Sequence, residues 1–275
     1  MISLCQVQTI VALAKEVGRA ILEVYGEEDF GISLKFGQSP VTRADRVAHH
    51  LILSGLQALT PDLPVLSEES KTIPYPQRQH WKAYWLVDPL DGTKEFIQRN
   101  GEFTVNIALI ENNHAVVGVV HAPVLDLTYY ATRAGGAFMQ RSAESPIQIR
   151  VRDHSGGKLR VVASRSHGSE ALEHFLQKLR DYRCVSMGSS LKFCLVAEGS
   201  AHLYPRLGPT MEWDTAAGHC IVEAAGGAVT DLQGNSLDYN KSNLLNPHFM
   251  VSSTSAMSWL QFLGGMTQSR SSPPS

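Results

Sequence analysis

Three short acidic stretches of this chain carry residue types that could do chemistry. Trp85-Leu86-Val87-Asp88-Pro89-Leu90-Asp91-Gly92-Thr93 ends an apolar run in two carboxylates. Glu212-Trp213-Asp214-Thr215-Ala216-Ala217-Gly218 places another at the opening of a second apolar run, and Leu66-Ser67-Glu68-Glu69 supplies a third spot. Carboxylates that converge without a Cys or His ligand pattern suit a hard, oxygen-preferring cation such as Mg²⁺. The Gly-Thr step after the first cluster suits a phosphate, and metal plus phosphate points to phosphatase chemistry.

Each stretch has a simpler structural reading. Pro89 cannot extend a strand ladder, so the chain must turn after Asp88. Across such a turn Asp88 and Asp91 can aim at one ion, with the Leu90 carbonyl between them as a further oxygen; the same residues could merely cap a following helix. Gly92 and Thr93 open a short helix through Phe96 and Ile97, whose N–H groups can bind an anion or be capped by Thr93. Glu68 and Glu69, taken alone, read as a solvated pair. Thr42-Arg43-Ala44-Asp45 fits a capping box with Asp in place of Glu or Gln. Asp214 reads as the N-cap of a helix over 215–225, whose Ala216, Ala217 and Gly218 permit close packing. A basic and polar group completes the set. Ser164-Arg165-Ser166-His167 follows a strand, Gly188-Ser189-Ser190-Leu191-Lys192 opens a helix, and Arg206 follows a short strand. Together they could hold a second anion; singly they are ordinary surface residues.

The elements that must position these groups follow from periodicity. Leu4, Val7, Val11, Ala14, Gly18, Ile21 and Tyr25 share one helical face, and a second helix runs from about Ala44 to Leu59 until Pro61 and Pro64 end it. Strands are expected over 85–87, 103–110, 115–121, 127–132 and 147–151, with a turn at Asn112-Asn113-His114 and a stop at Gly135-Gly136. The polar link from Asp153 to Lys158 is the expected boundary. It separates residues 1–157, an α+β unit carrying most of the metal ligands, from 158–263, where strand and helix alternate: strands at 159–163, 184–186 and 202–204, helices at 170–179, 191–197 and 215–225. Gly226-Gly227 stops the last helix. The tail 264–275, rich in Ser, Gly and Pro, is expected to be disordered.

The bulk numbers narrow the class. The chain has 275 residues, 43% of them hydrophobic, and a net charge of −2. That suffices for a buried core and disfavours nucleic-acid binding by charge. Cys5, Cys184, Cys194 and Cys220 show no paired spacing and read as mostly buried thiols in a reducing compartment. No run approaches a membrane span, so the expectation is a cytoplasmic protein, with peripheral attachment to the inner membrane left open.

Ser67-Glu68-Glu69, the run from Trp85 to Phe96, and the run from Trp213 to Gly218 together resemble the inositol monophosphatase superfamily of Mg²⁺-dependent, Li⁺-sensitive phosphatases. The likeness extends from the first helix to about Val251. Lys94-Glu95-Phe96, the run Gly101 to Ile110 and the segment Gly188 to Arg206 are similar to its 3′(2′),5′-bisphosphate nucleotidase branch. The resemblance implies a layered α-β-α-β-α sandwich mixing α+β and α/β features, with the site between the two halves. It implies two Mg²⁺ ions and a weaker third: Glu68, Asp88 and the Leu90 carbonyl holding one, Asp88, Asp91 and Asp214 another, the third near Glu68. It gives Thr93, coupled to Asp45, the task of orienting the attacking water, and Gly92, Ser189, Lys192, Arg206 and His167 a share in the substrate site. The implied substrate is adenosine 3′,5′-bisphosphate, hydrolysed to AMP and phosphate in sulfur assimilation, with 3′-phosphoadenylyl sulfate as a second substrate. The alternatives are an inositol or sugar monophosphatase on the same metal core and, in another class, a non-catalytic nucleotide sensor or RNA-associated scaffold. The oligomeric state is not fixed by the sequence.

Overall fold

The computed structural model describes residues 3–34, 40–164, 170–179, 181–253 and 262. His167 and the tail 264–275 lie outside the described residues. In chain order the elements begin with α1 (Leu4–Tyr25), β1 (Ser33–Leu34), β2 (Pro40–Val41), α2 (Arg43–Leu59), β3 (Val65–Ser67) and α3 (Tyr75–Arg78). Then come β4 (Ala83–Asp91), α4 (Thr93–Ile97), β5 (Thr104–Glu111), β6 (His114–Ala122), β7 (Leu127–Thr132), β8 (Gly136–Arg141) and β9 (Ile147–Ile149). The remaining elements are β10 (Leu159–Ser164), α5 (Glu170–Lys178), β11 (Tyr182–Met187), α6 (Leu191–Ala197), β12 (Leu203–Arg206), α7 (Glu212–Ala224), β13 (Ala228–Asp231) and β14 (Phe249–Ser252).

Two mixed sheets organise the chain. The larger has the order β3-β4-β5-β6-β7-β8-β9, the smaller β11-β10-β12-β14-β13. Strand alternation decides what covers each face. Trp85, Val87, Ile107, Leu109, Val117 and Val119 point to one side of the large sheet and pack with the apolar stripes of α1 and α2. Tyr84, Leu86, Ala108, Ile110 and Val120 point to the other side and share a core with Val162, Tyr204, Phe249 and Val251 of the small sheet and with α6 and α7. The next residues along the small sheet, Val161, Leu203 and Met250, turn away and pack with Phe175 of α5. The layers are therefore α1/α2, large sheet, α6/α7, small sheet, α5, as the resemblance implies.

Beyond the short β1–β2 pair, three strands of the two larger sheets escape the sequence reading. Gly135-Gly136 is a hairpin turn rather than a stop, and β8 returns along β7 with Tyr130 stacked on Phe138. After α7 the chain forms β13 and β14, both antiparallel to their neighbours. The second half is thus not a purely alternating α/β unit; only β11, β10 and β12 are parallel. The cysteines also depart from expectation, since Cys5 and Cys184 are exposed while Cys194 and Cys220 are buried.

Helix α7 lies close against the large sheet because both surfaces are small. Gly118 on β6 is flanked in the sheet by Ala108 and Ala131. A Cβ on Gly118 would stand 2.4 Å from the Ala217 carbonyl oxygen and 3.0 Å from Cys220 Cβ. Gly118→Ala must therefore push the helix off the sheet, and its unfolding midpoint in urea is expected to fall by the equivalent of about 1–3 kcal/mol. A wild-type midpoint would show that the helix can yield freely.

Candidate active site

The first carboxylates reach one place through an irregularity in β4. Residues three apart on a regular strand face opposite ways. Here Asp88 pairs with Asn106 and Asp91 with Thr104, so three steps on β4 oppose two on β5 and a β-bulge intervenes. The extra residue puts both carboxylates on the α6/α7 side, while Leu90 turns into the α1/α2 core. Parallel pairing of β3 with β4 brings in the next acid: the Glu68 N–H donates to the Val87 carbonyl at 3.1 Å, and the Glu68 and Asp88 carboxyls hydrogen-bond each other.

Asp214 arrives from the opposite layer. The helix begins at Glu212, so Asp214 is the third helical residue and not the N-cap read from sequence. Its Oδ2 accepts the N–H of Met211, the residue at the cap, at 2.8 Å. This reach-back fixes the carboxylate at the helix start, where the helix dipole favours negative charge. Carboxylate oxygens of Asp88, Asp91 and Asp214 lie within 4.8 Å of one another.

Such crowding has an electrostatic price. Burial raises the Asp88 carboxyl well above the usual carboxylate range, and Glu68, Asp91 and Asp214 raise it further. Burial and Asp91 do the same to Asp214, against a smaller lowering by the Met211 N–H and Arg206. The set cannot be fully ionised without positive charge among it. All donors are oxygens, the chemistry of a hard divalent cation, and the residues present fit one.

Beside the acids lies Thr93, the first residue of α4. Its hydroxyl faces Asp45 Oδ1 at 3.2 Å and the Leu90 carbonyl at 3.4 Å. The other Asp45 oxygen accepts the Thr42 N–H at 2.7 Å and the Thr42 hydroxyl at 2.6 Å. Asp45 therefore both closes the helix start of α2 and meets Thr93, and the capping reading and the site reading hold together. Gly92 precedes Thr93 with φ +92°, a left-handed backbone that glycine adopts without a Cβ penalty.

The basic residues come from the small sheet. Ser164, the Gly188–Ser190 turn and Arg206 stand at the carboxyl ends of β10, β11 and β12. Here the chain order reverses, since β11 and β12 lie on opposite sides of β10, the position where open α/β sheets bind ligands. Lys192 Nζ donates to the Ser189 carbonyl at 2.5 Å and sits over the Tyr204 ring at 5.4 Å. Burial pushes its ammonium down to about 8, with the Arg206 charge adding to the effect and Asp91 opposing it. Arg206 is buried; one guanidinium nitrogen donates to the Pro209 carbonyl, and Nε has no hydrogen-bond partner among the described residues.

A cavity of about 300 Å³ joins the two groups. Glu68, Asp88, Leu90, Asp91, Gly92, Thr93 and Asp214 line one part, and Ser189, Lys192 and Arg206 another, with Phe193, Tyr204 and Phe249 between sheet and helix. Asp45 contacts it through Thr93. The sequence reading placed Ser190 only in the anion-holding group, not beside the carboxylates, and did not assign Asn106 to the site. Ser190 donates to Asp91, and Asn106 donates to Ser190. An amide in the apolar run from Phe103 to Ile110 was the only signal for the latter.

The inositol monophosphatase family profile matches residues 4–260. The chain belongs to the inositol monophosphatase family. It is 54% identical over 246 residues to the 3′(2′),5′-bisphosphate nucleotidase CysQ of Salmonella typhimurium, covering 89% of this chain and 98% of that protein. The crystal structure of CysQ from Bacteroides thetaiotaomicron superposes with a TM-score of 0.81 at 41% identity, covering 90% of this chain and 97% of that one. The Thermotoga maritima IMPase superposes with a TM-score of 0.79 at 26% identity over 94% of this chain and 97% of that one. Among the described residues no helix is long and apolar enough to cross a membrane.

Proposed function

We propose that this protein is a Mg²⁺-dependent phosphatase that hydrolyses adenosine 3′,5′-bisphosphate to AMP and phosphate. The observation that carries the reading is one cavity with two unlike parts, a carboxylate cradle and a buried Lys192–Arg206 pair. A phosphate over the cradle and a second anionic group at the basic part match a substrate with two phosphates; an inositol monophosphate has nothing for the second part. The named CysQ relatives support the same choice. The activity would clear a by-product of sulfate assimilation, with 3′-phosphoadenylyl sulfate as a second substrate, in the cytoplasm and with sensitivity to Li⁺.

In this reading Glu68, Asp88, the Leu90 carbonyl, Asp91 and Asp214 hold two Mg²⁺ ions, with a third, weaker one near Glu68. Mg²⁺ held there would supply charge neutralisation for the phosphate, the attacking water and the leaving oxygen. The chain supplies the rest. Asp45 Oδ1 accepts the Thr93 proton, leaving the Thr93 oxygen free to accept one from water and aim it at phosphorus. Gly92 gives the phosphate access to backbone at the start of α4. Ser189, Lys192, Arg206 and His167 hold the nucleotide, so that water attacks in line with the departing 3′ oxygen. The P–O3′ bond breaks as the new P–O bond forms. One proton of the water stays with the released hydrogen phosphate, and the other is balanced by a solvent proton taken up by the 3′ oxygen as it becomes the hydroxyl.

A phosphate-release panel tests this. Adenosine 3′,5′-bisphosphate is expected to be turned over with Mg²⁺, inhibited by Li⁺, and preferred to inositol 1-phosphate; faster hydrolysis of the inositol ester by orders of magnitude would end the nucleotide reading. Lys192 adds a pH signature. Its charged form binds an anion, and its ammonium is lowered to about 8, so kcat/KM for the bisphosphate is expected to fall as pH rises past that value. Lys192→Arg stays protonated and should remove that limb; an unchanged profile would deny Lys192 the contact.

A further inference from the structure

Asp91 and Asp214 come from different layers, and one side chain spans the gap between them. Ser190, buried at the start of α6, donates its hydroxyl to Asp91 Oδ2 at 2.8 Å and lies equally close, 2.8 Å, to the Asp214 carbonyl oxygen. The amide of Asn106 on β5 donates to Ser190 Oγ at 2.8 Å. Thr104, two residues earlier on the same face, donates to the Asn106 oxygen at 2.9 Å and so sets which way that amide points. Three elements, β4, β5 and α7, thus meet on a single hydroxyl carried by a fourth.

We propose that Ser190 is a positioning residue that sets the spacing of Asp91 and Asp214 for the cation they share, with Asn106 aiming its hydroxyl. The inference rests on the metal-dependent reading above. Its physical basis is donor arithmetic. Asn106 occupies a lone pair of Ser190 Oγ, so the single Ser190 proton is directed away from it, toward the two acceptors. Asp91 Oδ2 also lies 2.7 Å from the Ser189 hydroxyl, whose single proton is shared with the Thr104 hydroxyl oxygen 2.5 Å away, and accepts the Asn106 amide more weakly at 3.4 Å. That oxygen is thus engaged by hydroxyl and amide donors, which favours the other Asp91 oxygen for a cation. By tying Asp91 Oδ2 to the Asp214 carbonyl, Ser190 keeps the other Asp91 oxygen in a fixed relation to α7. Outer partners of this kind are worth roughly tenfold to a hundredfold in metal affinity.

Isothermal titration of Mg²⁺ into chelator-stripped full-length protein tests the proposal without relying on turnover. Ser190→Ala is expected to bind Mg²⁺ at least tenfold more weakly, while KM for the bisphosphate at saturating Mg²⁺ changes less than twofold. Asn106→Ala should weaken Mg²⁺ similarly, and the double variant should fall well short of additive, because Asn106 acts mainly through the Ser190 hydroxyl and reaches Asp91 directly only at 3.4 Å. Lys192→Met should do the reverse, raising KM and sparing Mg²⁺ affinity. Wild-type Mg²⁺ affinity in Ser190→Ala overturns the proposal, as does full additivity in the double variant. Should Ser190→Ala fail to fold, Ser190→Cys, a weaker donor of similar size, is expected to fall between alanine and wild type. A wild-type chain that takes up no Mg²⁺ would instead sink the functional reading, and one that takes up Mg²⁺ without hydrolysing the nucleotide would sink only the substrate.

Discussion

Asp88→Asn is expected to lower kcat by about a thousandfold or more while making the metal-free protein more stable. The two effects have one origin. Asp88 is buried among Glu68, Asp91 and Asp214, and its carboxyl is raised by burial first and by those charges next. In the proposed mechanism it would belong to the ligand set of the cations, so its loss would remove charge stabilisation that operates as the phosphoryl group transfers. Without metal the ionised carboxylate is repelled by its acidic neighbours, and a neutral amide of equal shape relieves that while its oxygen can still accept the Leu90 N–H, which Asp88 Oδ1 takes at 3.1 Å. The sign with pH follows from linkage. A carboxyl raised in the folded state contributes stability that is complete below its unfolded value and is lost as pH climbs through the folded one. Metal-free wild type should therefore lose stability from acidic toward neutral pH, and the rise in Tm on adding Mg²⁺ should grow over the same range. Asp88→Asn should flatten both trends. Calorimetric scans in EDTA and in Mg²⁺ at several pH values would decide it, and a metal-free variant less stable than wild type would contradict the account.

Glu212→Ala is expected to cost about 3–5 kcal/mol of stability, although Glu212 does not line the cavity. Its fully buried carboxylate accepts the Asn240 N–H at 2.7 Å, the Lys241 N–H at 3.0 Å and the Lys241 ammonium at 2.6 Å. Asn240, held at φ +67°, exchanges side-chain and backbone hydrogen bonds with buried Arg78. Removing the acid leaves two backbone donors without their acceptor and the Lys241 ammonium with only the Asp238 carbonyl and the Asn246 amide oxygen, and an unpaired buried group is far costlier than an intact pair is beneficial. Because Glu212 opens α7 two residues before Asp214, weaker Mg²⁺ binding should accompany the loss. Urea denaturation measures the first effect; a change below about 1 kcal/mol would mean that water replaces the carboxylate.

Much of this was legible in residue order. The periodicity of Val7, Val11, Ala14 and Ile21 gave α1, and Leu191–Ala197 was read to the residue. Asp88 and Asp91 stood out because proline after an apolar run forces a local departure from the ladder. What escaped depended on partners remote in sequence. Phe249–Ser252 carries no punctuation of its own and becomes a strand only because β12 and β13 pair with it. Asp214 looked like a cap, since its actual place at the third helical position depends on the Met211–Leu245 bridge that starts the helix earlier. Asn106 was silent because a polar residue in an apolar stretch announces only that something pairs with it, and Ser190 read as an anion contact because nothing in its neighbourhood points to Asp91 and Asp214. Chemistry-bearing carboxylates were readable by type, whereas the hydroxyl and amide that arrange them were readable only by position.

The bulge in β4 makes the interval between Asp88 and Asp91 a matter of parity. A strand counts in twos, and an odd interval serves a single face only because one residue goes uncounted by the partner strand. Deleting Pro89 or inserting one residue beside it would not move Asp91 by a fraction of an ångström. It would flip the carboxylate through the sheet toward the ring cluster of Tyr25, Phe96 and Phe103, where no ionised group could stay. The D-x-x-D interval is thus an all-or-none digit, and the sheet tolerates no neighbouring value.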